Sequence, residues 1–160
     1  MIEIRPAVDS DANAIATLWH QGWKDGHHGL VPEDLYKHRT LESFRPRALE
    51  RVPNCLVAID ADTGQLLGFV SLKGEELDQF FLHADARGTG LAKRLMQAGE
   101  DRLRDNGIQR AFLAVVEGND RAIGFYRKAG WQEVGLIHYK AQIESGSFDM
   151  PCLRFEKDLT

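Results

Sequence analysis

Three rhythms of apolar and polar residues follow one another along the chain, and each predicts a different element. Residues 2–5, IEIR, alternate and read as a short strand. Ala12, Ile15, Ala16, Trp19 and Trp23 then recur at helical spacing, with Asp9 and Ser10 placed to cap the helix. Gly22, Gly26 and Gly29 are expected to loosen the chain after that. Pro32 suits the first turn of a second helix that faces Leu35 and Tyr36 inward. Pro46 predicts the start of a further helical turn rather than its interior. The basic run from Arg45 to Arg51 reads as a solvated helix face.

The rhythm then changes. Residues 55–60 (CLVAID) and 65–72 (QLLGFVSL) flank Asp62-Thr63-Gly64 and predict a hairpin. Residues 76–83 (ELDQFFLH) form a third strand, with Glu76, Asp78, Phe80 and Leu82 alternating onto one face. Helical spacing returns at 89–105 through Leu91, Leu95, Ala98 and Leu103, and Gly107 suits the end of that helix. Residues 110–116 (RAFLAVV) are almost continuously apolar, as a strand buried on both faces is. Asn119 is placed to cap a helix carrying Ala122, Phe125, Tyr126 and Ala129, closed by Gly130. Residues 131–140 and 152–157 complete the strands. Strand 76–83, helix 89–105 and strand 110–116 make a βαβ unit, so its strands are expected to be parallel neighbours or nearly so. The class is α/β with a mixed sheet.

Composition narrows the function. The chain has 160 residues, 43% of them hydrophobic, which suits one domain with a real core. A net charge of −4 argues against nucleic acid as a main partner. No apolar run approaches the roughly 20 residues of a membrane helix, and the first residues lack the pattern of a secretory signal. A soluble, cytoplasmic protein is expected. Cys55 and Cys152 read as two buried free thiols. His20, His27, His28 and His38 fit no standard ligand spacing, so no metal is expected. There is no Gly-x-Ser-x-Gly nucleophile motif, which disfavours an acyl-enzyme.

The informative stretch is FLHADARGTGLAKRL, residues 81–95, where an apolar strand gives way through two glycines to a helix. The first N–H groups of a helix lack internal partners and lie at its positive end, so they bind phosphate. Gly88, Thr89, Gly90, Leu91 and Ala92 would supply such groups, with Arg87 and Lys93 adding charge. A tight turn with a helix start accounts for the glycines equally well. The Gly-x-x-x-x-Gly-Lys pattern of a P-loop is absent, and Lys93 stands where a dinucleotide loop has its third glycine.

Arg87-Gly88-Thr89-Gly90-Leu91-Ala92 resembles the Gln/Arg-x-x-Gly-x-Gly/Ala motif of the GNAT superfamily of N-acetyltransferases. The apolar strand before it (Phe80, Phe81, Leu82) fits the same pattern. So does the segment from Asn119 through Phe125-Tyr126 to Gly130-Trp131, in which Trp131 replaces the usual Phe. Clear motif coverage is about residues 76–135. The resemblance implies a seven-stranded, mostly antiparallel mixed sheet with helices on both faces and a splayed central strand pair. It implies acetyl-CoA as donor, with its pyrophosphate at 88–93 and its pantetheine along 80–82. It makes Tyr126 the proton donor to the leaving thiolate, Asn119 a contact of the cofactor arm and the Leu82 N–H an oxyanion donor. Glu76 matches one position used for the base. Asp78 and a water chain stay open, because Ala114 occupies the other position and Glu117 is off register. The acceptor would be an amine of a small molecule or peptide, met in a ternary complex. In such folds the region of segment 23–30 covers the acceptor site, although a plain surface loop accounts for it equally well, and dimers are common. His138 and Tyr139 are expected to line the same site from the other side. A non-catalytic acyl-CoA sensor of the same fold is the alternative.

Overall fold

The computed structural model describes residues 1–143 and 146–160. Among them, strands β1 (Ile2–Pro6), β2 (Cys55–Asp60), β3 (Leu66–Lys73), β4 (Glu76–Leu82), β5 (Arg110–Val116), β6 (Gln132–Ile143) and β7 (Gly146–Asp158) form one sheet in the order β1-β2-β3-β4-β5-β7-β6. Every pairing is antiparallel except β4 with β5. Helices α1 (Ala12–His27), α2 (Glu33–His38) and α3 (Leu41–Arg51) precede β2, α4 (Leu91–Asp105) links β4 to β5, and α5 (Asp120–Lys128) follows β5. Among the described residues no helix is long and apolar enough to cross a membrane.

The sheet carries a core on each face. On one side Leu91, Leu95 and Leu103 of α4, with Ile123 and Tyr126 of α5, pack on Val70, Leu77, Leu113 and Phe155. On the other Ile15, Trp19 and Trp23 of α1, Leu35 of α2 and Phe44 of α3 pack on Val57, Phe69 and Val116. Trp19 is completely buried, its ring 5.1 Å from Phe44 and 6.0 Å from Phe69.

Several elements depart from the sequence expectation. Helix α1 runs through Gly22 and Gly26 instead of loosening there. A Cβ on Gly22 would lie 2.3 Å from the Phe81 ring, and one on Gly26 would lie 2.9 Å from Asn119 Nδ2. These glycines let the helix approach the sheet. Pro46 sits inside α3, whose N-cap is Thr40, accepting from the Ser43 N–H at 3.3 Å. Asn119 stands at the N-cap of α5 but makes no capping bond. Strands β6 and β7 are longer than their alternation suggested and pair with each other as a hairpin. Their exposed residues mix polar side chains with the apolar Val134 and Leu136, which blurs the alternation.

The parallel pair is nearly unpaired. The only register match between β4 and β5 is Glu76 with Phe112, supported by the Phe112 N–H donating to the Glu75 carbonyl at 3.2 Å. Beyond that point the strands diverge, as the resemblance implied.

Candidate active site

The divergence opens a cleft of about 2140 Å³ walled by β4, β5, α1, α3, α5 and β6. One wall is backbone. The His83 N–H donates to the Leu67 carbonyl at 2.8 Å, on the β3 side. Hydrogen-bonding direction alternates along a strand, so the amides of Phe80 and Leu82 point the other way, into the gap.

At the mouth, Gly90 takes φ 82° as the N-cap of α4 and Gly88 takes φ 77°. A Cβ at either would meet nothing within 4 Å, so conformation and not crowding calls for glycine. The Thr89 N–H donates to Ala86 and the Leu91 N–H to Thr89 Oγ1. Among the described residues the N–H groups of Gly88, Gly90, Ala92 and Lys93 have no protein partner. Arg87 and Ala92 belong to the cleft wall, whereas Gly88, Thr89, Gly90, Leu91 and Lys93 lie outside it and are, Leu91 apart, exposed or half-exposed.

The expectation that Glu76, Asp78, Phe80 and Leu82 share one face fails. Register shifts between Ser71 and Leu72, which pair with Gln79 and Leu77, so Asp78 is the extra residue of a β-bulge. Phe80 stacks on Phe125, 5.4 Å between centroids, on the α4/α5 side. Asp78 accepts from Arg51 Nε and from Ser71 Oγ, both at 2.8 Å, on the α1/α3 side. Glu76 also lines the cleft. Burial, reinforced by the Asp78 charge, pushes its carboxyl up to about 7. Tyr126 reaches the cleft from α5, and burial pushes its phenol well above the ordinary value, so it stays protonated. Asn119 lines the cleft beside Gly26.

The basic run is not a solvated face. Arg45 is exposed and pairs with Glu42, but Arg47 and Arg51, one turn apart, turn into the cleft across Trp19. Only the i, i+4 spacing could have signalled this. Tyr139 lines the cleft and is pushed up to about 12, mainly by burial. Its neighbour His138 is exposed and faces away, since strand residues alternate. His27 ends α1, stacks on Trp23 at 4.7 Å and has Nδ1 2.8 Å from the Trp23 carbonyl. Segment 23–27 is therefore helix and not loop. Cys55 and Cys152 are buried free thiols, pushed up to about 12 and about 11 by burial.

Residues 15–131 match the acetyltransferase (GNAT) family. The chain is 28% identical over 138 residues to the peptidyl-lysine N-acetyltransferase YjaB of Salmonella typhimurium, covering 84% of this chain and 86% of that protein. It is 29% identical over 139 residues to the L-methionine sulfoximine/L-methionine sulfone acetyltransferase of Pseudomonas paraeruginosa, covering 81% and 78%. Its fold matches the PaiA N-acetyltransferase of Thermoplasma acidophilum, solved with coenzyme A, at TM-score 0.70 and 20% identity over 99% of both chains. With its splayed strands and its glycine turn, the chain belongs to the acetyltransferase (GNAT) family.

Proposed function

We propose that the protein transfers the acetyl group of acetyl-CoA directly to an amine of a small molecule or peptide, within a ternary complex. The observation that carries this is the gap between β4 and β5, edged by the free amides of Phe80 and Leu82 and leading to four unpartnered N–H groups at 88, 90, 92 and 93. A pantetheine arm has amides that suit a strand edge, with Phe81 behind them and Asn119 across the gap. A pyrophosphate suits the start of α4, with Arg87 and Lys93 adding charge and Thr89 and Leu91 completing the turn. The relatives act on peptidyl-lysine in one case and on an amino-acid analogue in the other, and both acceptors are amines.

In this reading Glu76, whose proton affinity is centred at about 7, takes a proton from the attacking amine. The nitrogen bonds to the thioester carbon, and the Leu82 N–H steadies the oxyanion. As the C–S bond breaks, Tyr126 gives its proton to the departing thiolate. No residue is acylated.

Thermal unfolding with acetyl-CoA, NAD or ATP added separately tests the donor. A ligand at about 100 times its dissociation constant stabilises by about 2.7 kcal/mol, roughly 5–10 °C for a chain of this size. The expected result is a rise with acetyl-CoA, release of CoA when an amine is supplied, and a Tyr126→Phe variant that keeps the rise but loses most release. A rise with NAD or ATP alone overturns the reading. Binding of acetyl-CoA without release from any amine would mark the chain as a sensor.

A further inference from the structure

The cleft holds more positive charge than its own carboxylates can balance. Five arginines line it, Arg87 by the glycine turn, Arg121 on α5, and three that neighbour one another: Arg39 where α2 ends, and Arg47 and Arg51 on one face of α3. Arg51 is satisfied by Asp78 at 2.8 Å and by the Arg47 carbonyl at 3.3 Å. The Arg47 guanidinium carbon lies over Trp19, 4.4 Å from the ring centroid, and 5.0 Å from that of Phe44. Its Nη1 is buried without a hydrogen-bond partner. Arg39 is only 6% exposed, and no ion pair or hydrogen bond of its side chain occurs among the described residues. Burial and the two neighbouring arginines push Arg47 down to about 9, the direction expected of an uncompensated cation.

An unpaired buried cation is costly, and proteins keep one where a ligand supplies the opposite charge. A guanidinium presents a fork that matches a carboxylate in two bonds, and the Trp19 ring lies beneath that of Arg47. A second unmet atom has the opposite polarity. Asp78 Oδ1 is buried with no donor, while Oδ2 takes both Arg51 and Ser71. Asp78 is two residues from Glu76 and acts on its charge. One cleft thus offers an unused cation and an unused acceptor, the second beside the carboxyl placed to take a proton.

We infer that the acceptor is a free amino acid or close analogue, its carboxylate held by Arg47 and Arg39 and its amino group lying between Asp78 and Glu76. This rests on the acetyl-transfer reading above. It excludes lysine within a protein chain as the main acceptor, since that amine carries no carboxylate to satisfy the arginines. Arg47 is a binding group, so its loss raises KM more than it lowers kcat.

The experiment measures CoA release with acetyl-CoA and the twenty L-amino acids, each beside its carboxamide, plus a lysine peptide blocked at both ends. At least one amino acid is expected to exceed its own carboxamide in kcat/KM by roughly tenfold or more, as a lost charged hydrogen bond requires. Arg47→Gln is expected to raise KM for that amino acid by a similar factor and to change KM for the carboxamide much less, so that the preference for the acid over its amide collapses. Arg39→Gln acts likewise, which guards against a folding defect in one variant, and both keep the thermal rise with acetyl-CoA. Equal use of acid and amide, release with the blocked peptide alone, or release with none of the panel overturns the inference. Loss of acetyl-CoA binding by the unmodified protein instead overturns the transferase reading itself.

Discussion

Glu76 sits where burial and a neighbouring carboxylate act in the same direction. Both favour its neutral form, while Lys73, Arg51 and Arg154 only partly oppose them. The consequence has a definite sign. An unfolded glutamate loses its proton near pH 4.5, whereas the folded one keeps it to about 7. Between those values the folded state binds more protons, so this group's contribution to stability falls as pH rises through the window and levels off above it. Glu76→Gln, which cannot ionise, is expected to gain stability relative to the unmodified protein from pH about 5 to about 8. The same change should lower kcat/KM and remove the activity limb that rises through about 7. Thermal midpoints at a series of pH values check the first part. A midpoint difference that does not vary with pH would show that Glu76 is not held neutral by the fold.

At the scale of elements, two helical glycines carry opposite expectations. Gly124 in α5 has open space within 4 Å of where a Cβ would stand, so Gly124→Ala should stabilise by about 0.5–1 kcal/mol through helix propensity. Gly22 in α1 has the same propensity to gain, but its Cβ would strike the Phe81 ring at 2.3 Å. Overpacking costs about 1–3 kcal/mol and outweighs it. Gly22→Ala should therefore destabilise, and it should weaken acetyl-CoA binding because the Phe81 ring it displaces lines the cleft. Denaturant midpoints of the two variants separate the effects, and stabilisation by both would show that α1 does not press on β4. The contrast also marks a limit of sequence reading. Helical spacing in α1, α4 and α5 was legible because one face of each is buried. Gly22 and Gly26 read as breakers because the Phe81 and Asn119 contacts that make them necessary come from remote segments. The bulge at Asp78 and the inward turn of Arg47 were hidden for the same reason. Each depends on what lies across the sheet, in β3 or beneath α3, and not on neighbours in the chain.

Across the whole molecule, the seven strands act as two antiparallel sets joined at one point. β1 to β4 form one and β5, β7 and β6 the other, and among the described residues Glu76–Phe112 is the one register pair between them. The βαβ reading correctly made β4 and β5 parallel neighbours. That they part after one pair came only with the family resemblance, because strand separation leaves no mark on hydrophobic spacing. The insertion of β7 between β5 and β6 was equally invisible, since sequence order does not set spatial order in a closing hairpin. The open seam leaves two kinds of amide on one strand. His83 bonds to Leu67, and Phe81 points to the same β3 side by alternation, so both should resist hydrogen exchange before any ligand is added. Phe80 and Leu82 face the gap without a strand partner and should exchange much faster. Acetyl-CoA, acting as the missing strand, is expected to slow Phe80 and Leu82 selectively and to leave Phe81 and His83 nearly unchanged. Residue-resolved exchange with and without acetyl-CoA reads this directly. Slowing spread evenly over β3, β4 and β5 would mean that binding closes the seam by moving the two sets together, and the added-strand description of β4 would then have to be given up.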